Sequence, residues 1–438
     1  MSAPLELDVA SLPRYEAIES VVREVAPGAR VEIVGGWLRD RLLSLPIEES
    51  PDLDLRVEGI TPRQLAEGLV VRLGGHAVCP PDFPTASWHA AGGRERIDIA
   101  AFRDEDYPVP GGPPRTRRGS SLQDLARRDF SVNAMAYPLW PMGDRQLVDP
   151  HGGVGDTKSG VLRMLHPLSF VDDPTRGLRA ARYAMRFGFA LEEETAVALR
   201  ARSSARGPGS AAARSGARLR SEWQRILESP RPDAVLRLLC TWEAQSLLGM
   251  SRLSADDSRI ERFGSALAGA LERFVRTPLH ALALLAPEDA IEETVLWFDL
   301  PEGDASLLRE LSGATARWKA PLTGFLCAEN EAASTEFAGT VPPALWPELD
   351  DLVSSIPASS RVQLRMADPT LDAVLAFWEQ AIHGLPPLIR GDDLLALGWT
   401  SGPELGEGLR HVRRKQLRGG INSVDEALVC ATRWREDS

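Results

Sequence analysis

The chain has 438 residues, which is enough for two to four domains. No apolar stretch reaches the roughly 20 residues that a membrane helix needs, and the first residues lack a signal-peptide pattern, so we expect no membrane association and a location in the cytoplasm. The four cysteines are widely spaced without a CxxC pair, which argues against a zinc site and a disulfide framework. The net charge of −12 weighs against a nucleic-acid partner, but arginine is dense between residues 115 and 237.

The first 150 residues mix predicted helices with predicted strands. Alternating apolar residues and flanking turn residues predict three strands, at "RVEIV", "LDLRV" and "RIDIAAF". Helical periodicity predicts helices at residues 14–25, at "WLRDRLLSL" and at "PRQLAEGLVVRLG". This mixture is typical of an α/β or α+β domain.

The sequence after about residue 165 has almost no strand pattern. Helical stretches are predicted at 174–187, 191–202, 217–228, 232–248, 257–274, 278–298, 371–382 and 423–435. We therefore expect a helical array behind the mixed N-terminal part, without a clear internal repeat.

Two aspartates stand one residue apart in the second predicted strand. Side chains at this spacing share one face, so Asp52 and Asp54 point the same way. Like charges this close repel each other unless a cation lies between them. Magnesium takes hard oxygen ligands and keeps positions for substrate phosphates, and two such ions can hold both oxygens of a phosphoryl displacement. The pair therefore predicts a catalytic Mg²⁺ site, and the alternative is a solvated acidic face.

A pair of glycines precedes these carboxylates, between the first strand and the next helix. Without side chains, Gly35 and Gly36 let a polyphosphate approach the free N–H groups of a helix start. Arg39, in the first turn of that helix, can add charge-assisted hydrogen bonds. Taken alone the glycines indicate a tight turn, but together with the aspartates they predict a nucleoside triphosphate site.

Seven stretches of the chain follow one another as recognisable motifs. They are "VGGWLRD", "DLDL", "LARRDFSVNAMAY", "LVDPHGGVGDTKSGVLRML", "FVDDPTRGLRAARYAMRFGF", "SGARLRSEWQRILESPRP" and "GDDLLALGWTSGPELGEGLRHV". In this order they resemble the class II nucleotidyltransferases of the polymerase β superfamily, which comprise the tRNA CCA-adding enzymes and the bacterial poly(A) polymerases. The resemblance is dense over residues 30–250 and present again near the end.

The resemblance implies an α+β architecture with a specific division of labour. Residues 1–150 would form a polymerase-β-like nucleotidyltransferase head with a mixed sheet, which carries catalysis. Residues 151–250 would form a helical neck with the base-recognition motif. Residues 251–438 would form a helical body and tail that bind RNA.

The "RRDFSVN" stretch offers groups for a ribose and for phosphates. Asp129 and Asn133 are four residues apart, so they share a face on the helix that we expect here. Arg127 or Arg128 can reach the triphosphate. The resemblance implies ribose and phosphate contacts for this motif, and the alternative is a surface helix with local ion pairs.

The "DDPTR" stretch carries the prediction of base recognition. From the residues alone, Asp173 before Pro174 is a candidate helix N-cap. The resemblance implies instead that Asp173 and Arg176 read the incoming base. Cytosine and adenine each present an amine beside an unprotonated ring nitrogen, which suit a carboxylate acceptor and an arginine donor. Uracil and guanine present the reverse pattern, so the pair would reject them.

Two further predictions concern the walls of this site. Arg179 and Arg182 continue a basic stripe along the helix that starts near Arg176, and we expect them to bind the nucleotide rather than solvent. Asp98, in "RIDIAAF", is a possible third catalytic carboxylate, with a structural role at the strand end as the alternative.

The combined prediction is template-independent transfer of C, A or both from CTP and ATP to a tRNA 3′ end, with Mg²⁺ as cofactor. The seven histidines form no HD-type cluster, which argues against an added phosphohydrolase domain. The resemblance implies that the segment "RDEDYPVPGGPPRTRRGSS" helps the switch from C to A, yet here it lacks the usual YxDxR-like element. CCA-, CC- and A-addition therefore stay open, with poly(A) polymerase as the runner-up and a non-catalytic RNA-binding relative as the least favoured reading.

Overall fold

The computed structural model describes most of the chain, namely residues 12, 14–46, 52–81, 84–93, 95–141, 146–204, 216–250, 252–268, 277–286, 290–325, 341 and 343–437. The chain divides into two compact units, Met1–Ala255 with Leu296–Asp299, and Asp256–Val295 with Leu300–Ser438. The predicted head and neck belong to the first unit, and the boundary between them at residue 150 stays a prediction. In the described part of the chain, no helix has the length and apolar character that crossing a membrane requires.

A six-stranded mixed sheet forms the centre of the first unit. Its strands are β1 (Arg30–Val34), β2 (Asp52–Glu58), β3 (His76–Val78), β4 (Thr85–His89), β5 (Arg96–Ala101) and β8 (Ala136–Trp140). They lie in the order β3-β4-β5-β2-β1-β8, and only β2 and β5 run parallel to each other. The three predicted strands are confirmed as β1, β2 and β5, which lie side by side in the interior of the sheet.

Three helices in this unit precede or connect the strands, α1 (Tyr15–Val25), α2 (Gly36–Leu42) and α3 (Pro62–Leu73). Helix α3 starts with a complete capping box, in which Thr61 and Gln64 exchange hydrogen bonds, and ends at Gly74. Apolar residues of β1 and β2 alternate into a core shared with α1 and α3, which includes Ile33, Leu53 and Leu69. The three predicted helices of the head are confirmed with boundaries that shift by a few residues.

The segment between β5 and the RRD motif folds as a hairpin followed by a short helix. Strands β6 (Arg103–Asp106) and β7 (Arg115–Arg118) pair antiparallel, and α4 covers Ser121–Ala126. The predicted helix over "RRDFSVN" is wrong, because α4 ends at Ala126 and only a 3-10 turn, Ser131–Asn133, follows. Phe130 is extended and forms an isolated β-bridge with Met164, which interrupts helical geometry.

The predicted neck is helical, and its helices are α5 (Gly153–Ser159), α6 (Ser169–Asp172), α7 (Thr175–Phe187), α8 (Glu193–Ser204), α9 (Gly216–Leu227) and α10 (Pro232–Thr241). Gly188 ends α7 in the left-handed conformation. Two short strands interrupt this region, β9 (Val161–Leu162) and β10 (Ala190–Leu191), which pair in parallel. The helix predicted over 232–248 stops early because Glu243 takes a left-handed conformation, and a 3-10 turn (Gln245–Leu248) follows.

Every described secondary-structure element after residue 250 is helical. The helices are α11 (Ser258–Leu267), α12 (Pro278–Leu285), α13 (Ile291–Phe298), α14 (Glu302–Thr323), α15 (Trp346–Ser355), α16 (Ala358–Ala367), α17 (Pro369–Phe377), α18 (Gly391–Ala396), α19 (Pro403–Leu417) and α20 (Val424–Asp437). The helix predicted over 278–298 is two helices, because Ala286 precedes a proline and is extended. An α+β head followed by helices is therefore confirmed as the fold class.

Candidate active site

One cleft in the first unit, with a volume of about 730 Å³, brings the predicted site residues together. Its lining includes all thirteen of them: Gly35, Gly36, Arg39, Asp52, Asp54, Asp98, Arg128, Asp129, Asn133, Asp173, Arg176, Arg179 and Arg182. The volume is in the range of cavities that hold a nucleotide-sized ligand. Residues more than 100 positions apart in the sequence therefore meet in one place.

The acidic corner of the cleft lies on two parallel strands. Asp52 and Asp54 point to one face of β2, and the register places Asp98 of β5 directly opposite Asp54. The Arg96 guanidinium lies 2.7 Å from Asp98 and 3.8 Å from Asp52, and the Ser87 hydroxyl donates to Asp98 at 2.6 Å. The structure thus places the candidate third carboxylate beside the pair.

Asp54 lines the cleft, but the protein around it removes much of the hydration of its carboxylate. This desolvation raises the pKa of Asp54, the negative charges of Asp98 and Asp52 raise it further, and Arg128 and Arg96 oppose the rise. The two arginines do not fully compensate the burial and the acidic neighbours of this carboxylate, and a divalent cation would add the missing positive charge. Since β2 presents hard oxygen donors side by side, the residues fit a magnesium ion.

No three His, Cys, Asp or Glu side chains converge on a preformed metal cage in the described part of the chain. Magnesium sites at phosphate substrates are commonly of this kind, because water and phosphate oxygens complete the coordination. The chain's contribution to such a site would be the carboxylates of Asp52 and Asp54, the predicted ligands.

Gly35 separates the acidic corner from an arginine. Its φ of +75° lies in the region that favours glycine. A Cβ at this position would lie 3.2 Å from Nη1 of Arg128 and 3.5 Å from Oδ2 of Asp54. The missing side chain therefore keeps open the space between the Asp54 carboxylate and the Arg128 guanidinium. A phosphate with a bound cation suits this space, because the cation would face the carboxylate and the phosphate would face the guanidinium.

A buried chain of ion pairs lies behind this corner. Arg56, on the same face of β2 as the two aspartates, donates from Nε to Glu32 at 2.6 Å and from Nη1 to Asp124 at 3.1 Å. Asp124 also accepts from Arg127 at 2.7 Å and lies 3.5 Å from Arg128. Burial raises the pKa of Asp124, but the three arginines outweigh it and hold the value at about 2. This network connects β2, the strand that carries Asp52 and Asp54, to Arg127 and Arg128 of the "RRDFSVN" stretch.

Arg39 is surrounded by protein groups. Its Nη1 donates to the side-chain oxygen of Asn133 at 2.6 Å, and its Nε and Nη2 donate to Asp40 at 2.9 and 2.6 Å. The rings of Tyr183 and Phe187 lie 5.2 and 4.3 Å from the guanidinium carbon, within cation–π range. The side chain is only 4% exposed, so these contacts orient Asn133 and leave little of Arg39 open to a ligand.

Asp129 and Asn133 are neighbours in the structure even though no α-helix joins them. The Asn133 amide donates to Oδ1 of Asp129 at 3.0 Å, and the backbone N–H of Phe130 donates to the same oxygen at 2.8 Å. Arg179 donates to Oδ2 at 3.3 Å. Burial raises the pKa of Asp129, but Arg179 and the two hydrogen bonds lower it more. The pair is therefore an ionised acceptor beside an amide, as ribose binding requires.

The N-cap of α7 is Pro174 rather than the predicted Asp173, but the Asp173 carboxylate bonds to the first residue of that helix and lines the cleft. Its Oδ1 accepts from the backbone N–H and the hydroxyl of Thr175, at 3.0 and 2.6 Å. Its Oδ2 lies 3.1 Å from Nη1 of Arg218 on α9. The hydrogen bonds to Thr175 and the contact with Arg218 coexist, because they use different oxygens of the Asp173 carboxylate.

Arg176 is held by the neck and by the RRD motif. Nη1 donates to the Ser169 hydroxyl at 2.7 Å, and Nη2 donates to the carbonyl oxygen of Arg127 at 2.7 Å. Its positive charge and burial lower the pKa of His166, with burial the larger cause. Arg176 is 3% exposed, so its contact with a base would need part of this bonding to rearrange.

The β6–β7 hairpin also reaches the cleft. Glu105 accepts from Arg127 at 3.0 Å and from Arg103 at 2.9 Å. The Tyr107 hydroxyl donates to Glu105 at 2.9 Å, and burial, with the charge of Glu105, raises the pKa of Tyr107 to about 12. Glu105 and Tyr107 therefore fix the position of the segment "RDEDYPVPGGPPRTRRGSS", which is rich in proline and glycine.

Comparisons with known proteins show which family has this architecture. A family model described as "Poly A polymerase head domain" matches residues 31–163. The A-adding tRNA nucleotidyltransferase of Halalkalibacterium halodurans is 30% identical over 407 residues, covering 91% of this chain and 87% of that protein. This chain belongs to the class II tRNA nucleotidyltransferase family. The prediction of a nucleotidyltransferase is thereby confirmed.

Two Deinococcus radiodurans members of the nucleotidyltransferase family match it differently. The A-adding enzyme is 28% identical over 94% of this chain and 96% of its own length. The CC-adding enzyme is 36% identical over 55% of this chain and 61% of its own length. The family thus contains subtypes, and the longest alignment of the two is with an A-adding member.

Solved structures of CCA-adding enzymes share the nucleotidyltransferase fold. The Thermotoga maritima enzyme, solved with tRNA, has a TM-score of 0.66 and 26% identity, and covers 98% of this chain and 96% of its own. A CCA-adding enzyme solved with ATP has a TM-score of 0.71 and 26% identity over 97% of this chain and 95% of its own. The fold extends over nearly the whole chain in both.

Several residues of this nucleotidyltransferase site escaped the sequence prediction. They are Asp40, Arg96, Glu105 and Tyr107, and the cleft is also lined by Arg127, Arg218 and Arg225. A signal existed for Arg218 and Arg225, which lie in a motif stretch, and for the hairpin residues, which lie in the segment linked to C-to-A switching. Nothing in the sequence pattern marked Arg96, because its role depends on the register of β5 against β2.

Proposed function

We propose that this tRNA nucleotidyltransferase adds the terminal A, from ATP, to tRNA that ends in CC. The observation that carries this proposal is the end-to-end similarity to A-adding enzymes, which in Deinococcus radiodurans extends over almost the full chain, whereas similarity to the CC-adding enzyme covers about half. The folded hairpin supports it, because the resemblance links this segment to the acceptance of ATP.

The transfer would displace pyrophosphate by the tRNA 3′-hydroxyl. The oxygen of that hydroxyl forms a bond to the α-phosphorus of ATP, the bond to the β-phosphate oxygen breaks, and the hydroxyl proton leaves to solvent. Asp52 and Asp54 would hold Mg²⁺, which when bound supplies positive charge to the reacting phosphate oxygens and lowers the pKa of the attacking hydroxyl. Their position on β2, an inner strand of the sheet, keeps the two carboxylates in a fixed relation.

The triphosphate would lie between the glycine turn and the basic wall. The space kept open at Gly35 lies between Asp54 and Arg128, so Arg128 is placed to donate to a phosphate oxygen. Arg179 and Arg182 provide further donors on the same cleft. Arg39 was predicted to bind the triphosphate as well, but its bonding to Asp40 and Asn133 supports a positioning role for it instead.

The nucleoside would be held by two carboxylates with different tasks. The ionised Asp129, with Asn133 beside it, accepts from ribose hydroxyls. Asp173 accepts from the exocyclic amine of adenine, and Arg176 donates to the ring nitrogen, which excludes uracil and guanine. The helical second unit would bind the rest of the tRNA, as the resemblance implies.

Complete CCA addition is the second candidate. It is favoured by the CCA-adding structures solved with ATP and with CTP, which match 97% of this chain. The Asp173–Arg176 pair is compatible with both bases, so the two candidates differ in which tRNA ends are extended.

A primer-extension assay separates the candidates. Purified protein with Mg²⁺ receives three transcripts of one tRNA, which end before CCA, after the first C and after CC, each with CTP, with ATP or with both. We expect extension of the CC-ended transcript by one A and no incorporation of C. Incorporation of C followed by A would establish CCA addition, and long A tails on unrelated RNA would establish a poly(A) polymerase.

A further inference from the structure

A single buried carboxylate gathers three arginines of the cleft. Glu222, on α9, accepts from Nε of Arg179 at 3.0 Å and from Nη2 of Arg182 at 3.2 Å. It also accepts from Nη1 of Arg225, one helical turn along on α9. The Glu222 side chain is 1% exposed, whereas those of Arg179, Arg182 and Arg225 are 33%, 17% and 50% exposed. The acid is therefore hidden behind guanidinium groups that line the cleft.

The cost of burying this charge indicates a task beyond packing. A buried carboxylate loses much of its hydration, and an apolar side chain of similar volume is often neutral or stabilising in such a place. Arginines without an acceptor would turn toward water or repel one another. A carboxylate that takes one donor from each directs the remaining N–H groups toward the cleft, where positive charge stays in excess.

The two helices involved supply these groups by their geometry. Arg179 and Arg182 are three residues apart on α7 and share a face, and Glu222 and Arg225 do so on α9. The pairing with Glu222 ties both helices to one point. Arg179 also donates to Asp129, so the cluster adjoins the proposed ribose site.

We propose that Glu222 is a positioning residue, which orients Arg179, Arg182 and Arg225 to bind phosphate groups during nucleotide transfer. The proposal rests on the proposed function and deepens it. The phosphates belong either to the incoming nucleoside triphosphate or to the 3′ strand of the tRNA, and guanidinium groups recognise both by the same charge-assisted hydrogen bonds.

The test compares Glu222→Gln with a matched control, Glu228→Gln. Glu228 lies just beyond the end of α9, is exposed and accepts from Gln224 at 2.8 Å. Each variant is assayed with the nucleotide and tRNA end that the unmodified protein uses, so the test does not depend on the subtype. The measurements are kcat and KM for the nucleotide, and tRNA affinity as a function of salt.

We expect Glu222→Gln to lower kcat/KM by about 10- to 100-fold, the range known for groups that orient a ligand-binding residue, and Glu228→Gln to have no effect. A higher KM for the nucleotide with unchanged tRNA affinity identifies the triphosphate. A weaker and less salt-dependent affinity for tRNA identifies its backbone. Unchanged values in both measurements would overturn the proposal.

Two further variants separate positioning from stability. Glu222→Asp keeps the charge and should recover a large part of the loss, even where Glu222→Gln proves too unstable to assay. In combination with Arg182→Ala, the Glu222→Gln change should reduce kcat/KM by less than the product of the single effects, because both act through one contact. Multiplicative effects, or an equal loss in Glu222→Asp and Glu222→Gln at temperatures where both are folded, would contradict a positioning role.

Discussion

Arg218 joins the carboxylate of Asp173 to the β6–β7 hairpin. Its Nη1 lies 3.1 Å from Oδ2 of Asp173, and its Nη2 donates to the carbonyl oxygens of Gly111 and Gly112, both at 2.8 Å. Gly111 in turn donates its N–H to the carbonyl of Val171, just before Asp173. The hairpin tip and the proposed template residue are therefore one bonded assembly.

We predict that Arg218→Ala weakens nucleotide selection. Without the guanidinium, Asp173 loses the group that holds its cleft-facing oxygen, so the carboxylate meets the exocyclic amine less often. Incorporation of each of the four nucleotides, measured as kcat/KM, should show about a 10-fold loss for the correct nucleotide and a smaller preference over UTP. The control is Arg231→Ala, which removes an exposed ion pair with Asp233 and should leave selection unchanged. Equal selectivity in both variants would remove Arg218 from base recognition.

We predict that Asp54→Asn abolishes transfer while the protein stays folded. The amide keeps the shape of the side chain but removes the charge that holds a cation. Losing several kcal/mol of transition-state stabilisation by that cation corresponds to a rate loss of at least about 10³-fold. Single-turnover extension of tRNA measures this loss. Glu58→Gln, an exposed change at the other end of β2, serves as the control. Normal extension by Asp54→Asn would refute the metal-ligand assignment.

The magnesium requirement should depend on pH through Asp54. Since the pKa of Asp54 is raised by desolvation and then by Asp98 and Asp52, protons compete with the metal at a higher pH than at an ordinary aspartate. The ionised ligand is present above the raised pKa and is lost as pH falls through it. Titrations of activity with Mg²⁺ at a series of decreasing pH values should show a half-saturating concentration that rises as the pH falls toward the raised pKa. A constant value over this series would contradict the prediction.

We predict that Gly35→Ala impairs nucleotide binding more than it impairs folding. The φ of +75° with a ψ of −136° is a backbone conformation that costs an alanine about 1–3 kcal/mol. The new methyl group would also press on Arg128 at 3.2 Å. The KM for the nucleotide should rise by about 10-fold or more, which corresponds to about 1.4 kcal/mol. Gly155→Ala is the matched control, since a Cβ there meets no atom within 4 Å. Equal KM values in the two variants would show that the space beside Arg128 is not used.

Stability should depend on Asp124 in a defined pH window. Removing one partner of a buried ion-pair network costs about 3–5 kcal/mol, so Asp124→Asn should lower the free energy of unfolding by that order at neutral pH. The folded pKa of about 2 lies below the model-compound value of 3.8, so the contribution is present above about pH 4–5 and is lost as pH falls toward 2. Urea unfolding of both proteins from about pH 7 down to pH 3 measures the difference.

Glu67→Gln is the control for that measurement. It breaks an exposed pair with Arg63, which is worth at most about 1 kcal/mol. A loss in Asp124→Asn no larger than in Glu67→Gln would mean that the buried network contributes little to stability.

The sequence by itself determined the head strands β1, β2 and β5, the helical nature of the rest, and the thirteen candidate site residues. The strands follow from local physics: alternation puts Asp52 and Asp54 on one face while Leu53 and Leu55 enter the core. The base-reading roles predicted for Asp173 and Arg176 came instead from the family resemblance. Motif order then indicated the family. The helix expected over the RRD stretch failed because a tertiary contact, the bridge of Phe130 to Met164, overrides local helical preference.

Only the tertiary structure decided which charges meet. The parallel register of β2 and β5 places Asp98 beside Asp54, and the packing of α7 against α9 buries Glu222 among arginines. It also turned Arg39 toward Asn133. Such pairings join groups far apart in sequence, and their strength depends on burial and on distances of a few ångströms, neither of which a residue pattern encodes.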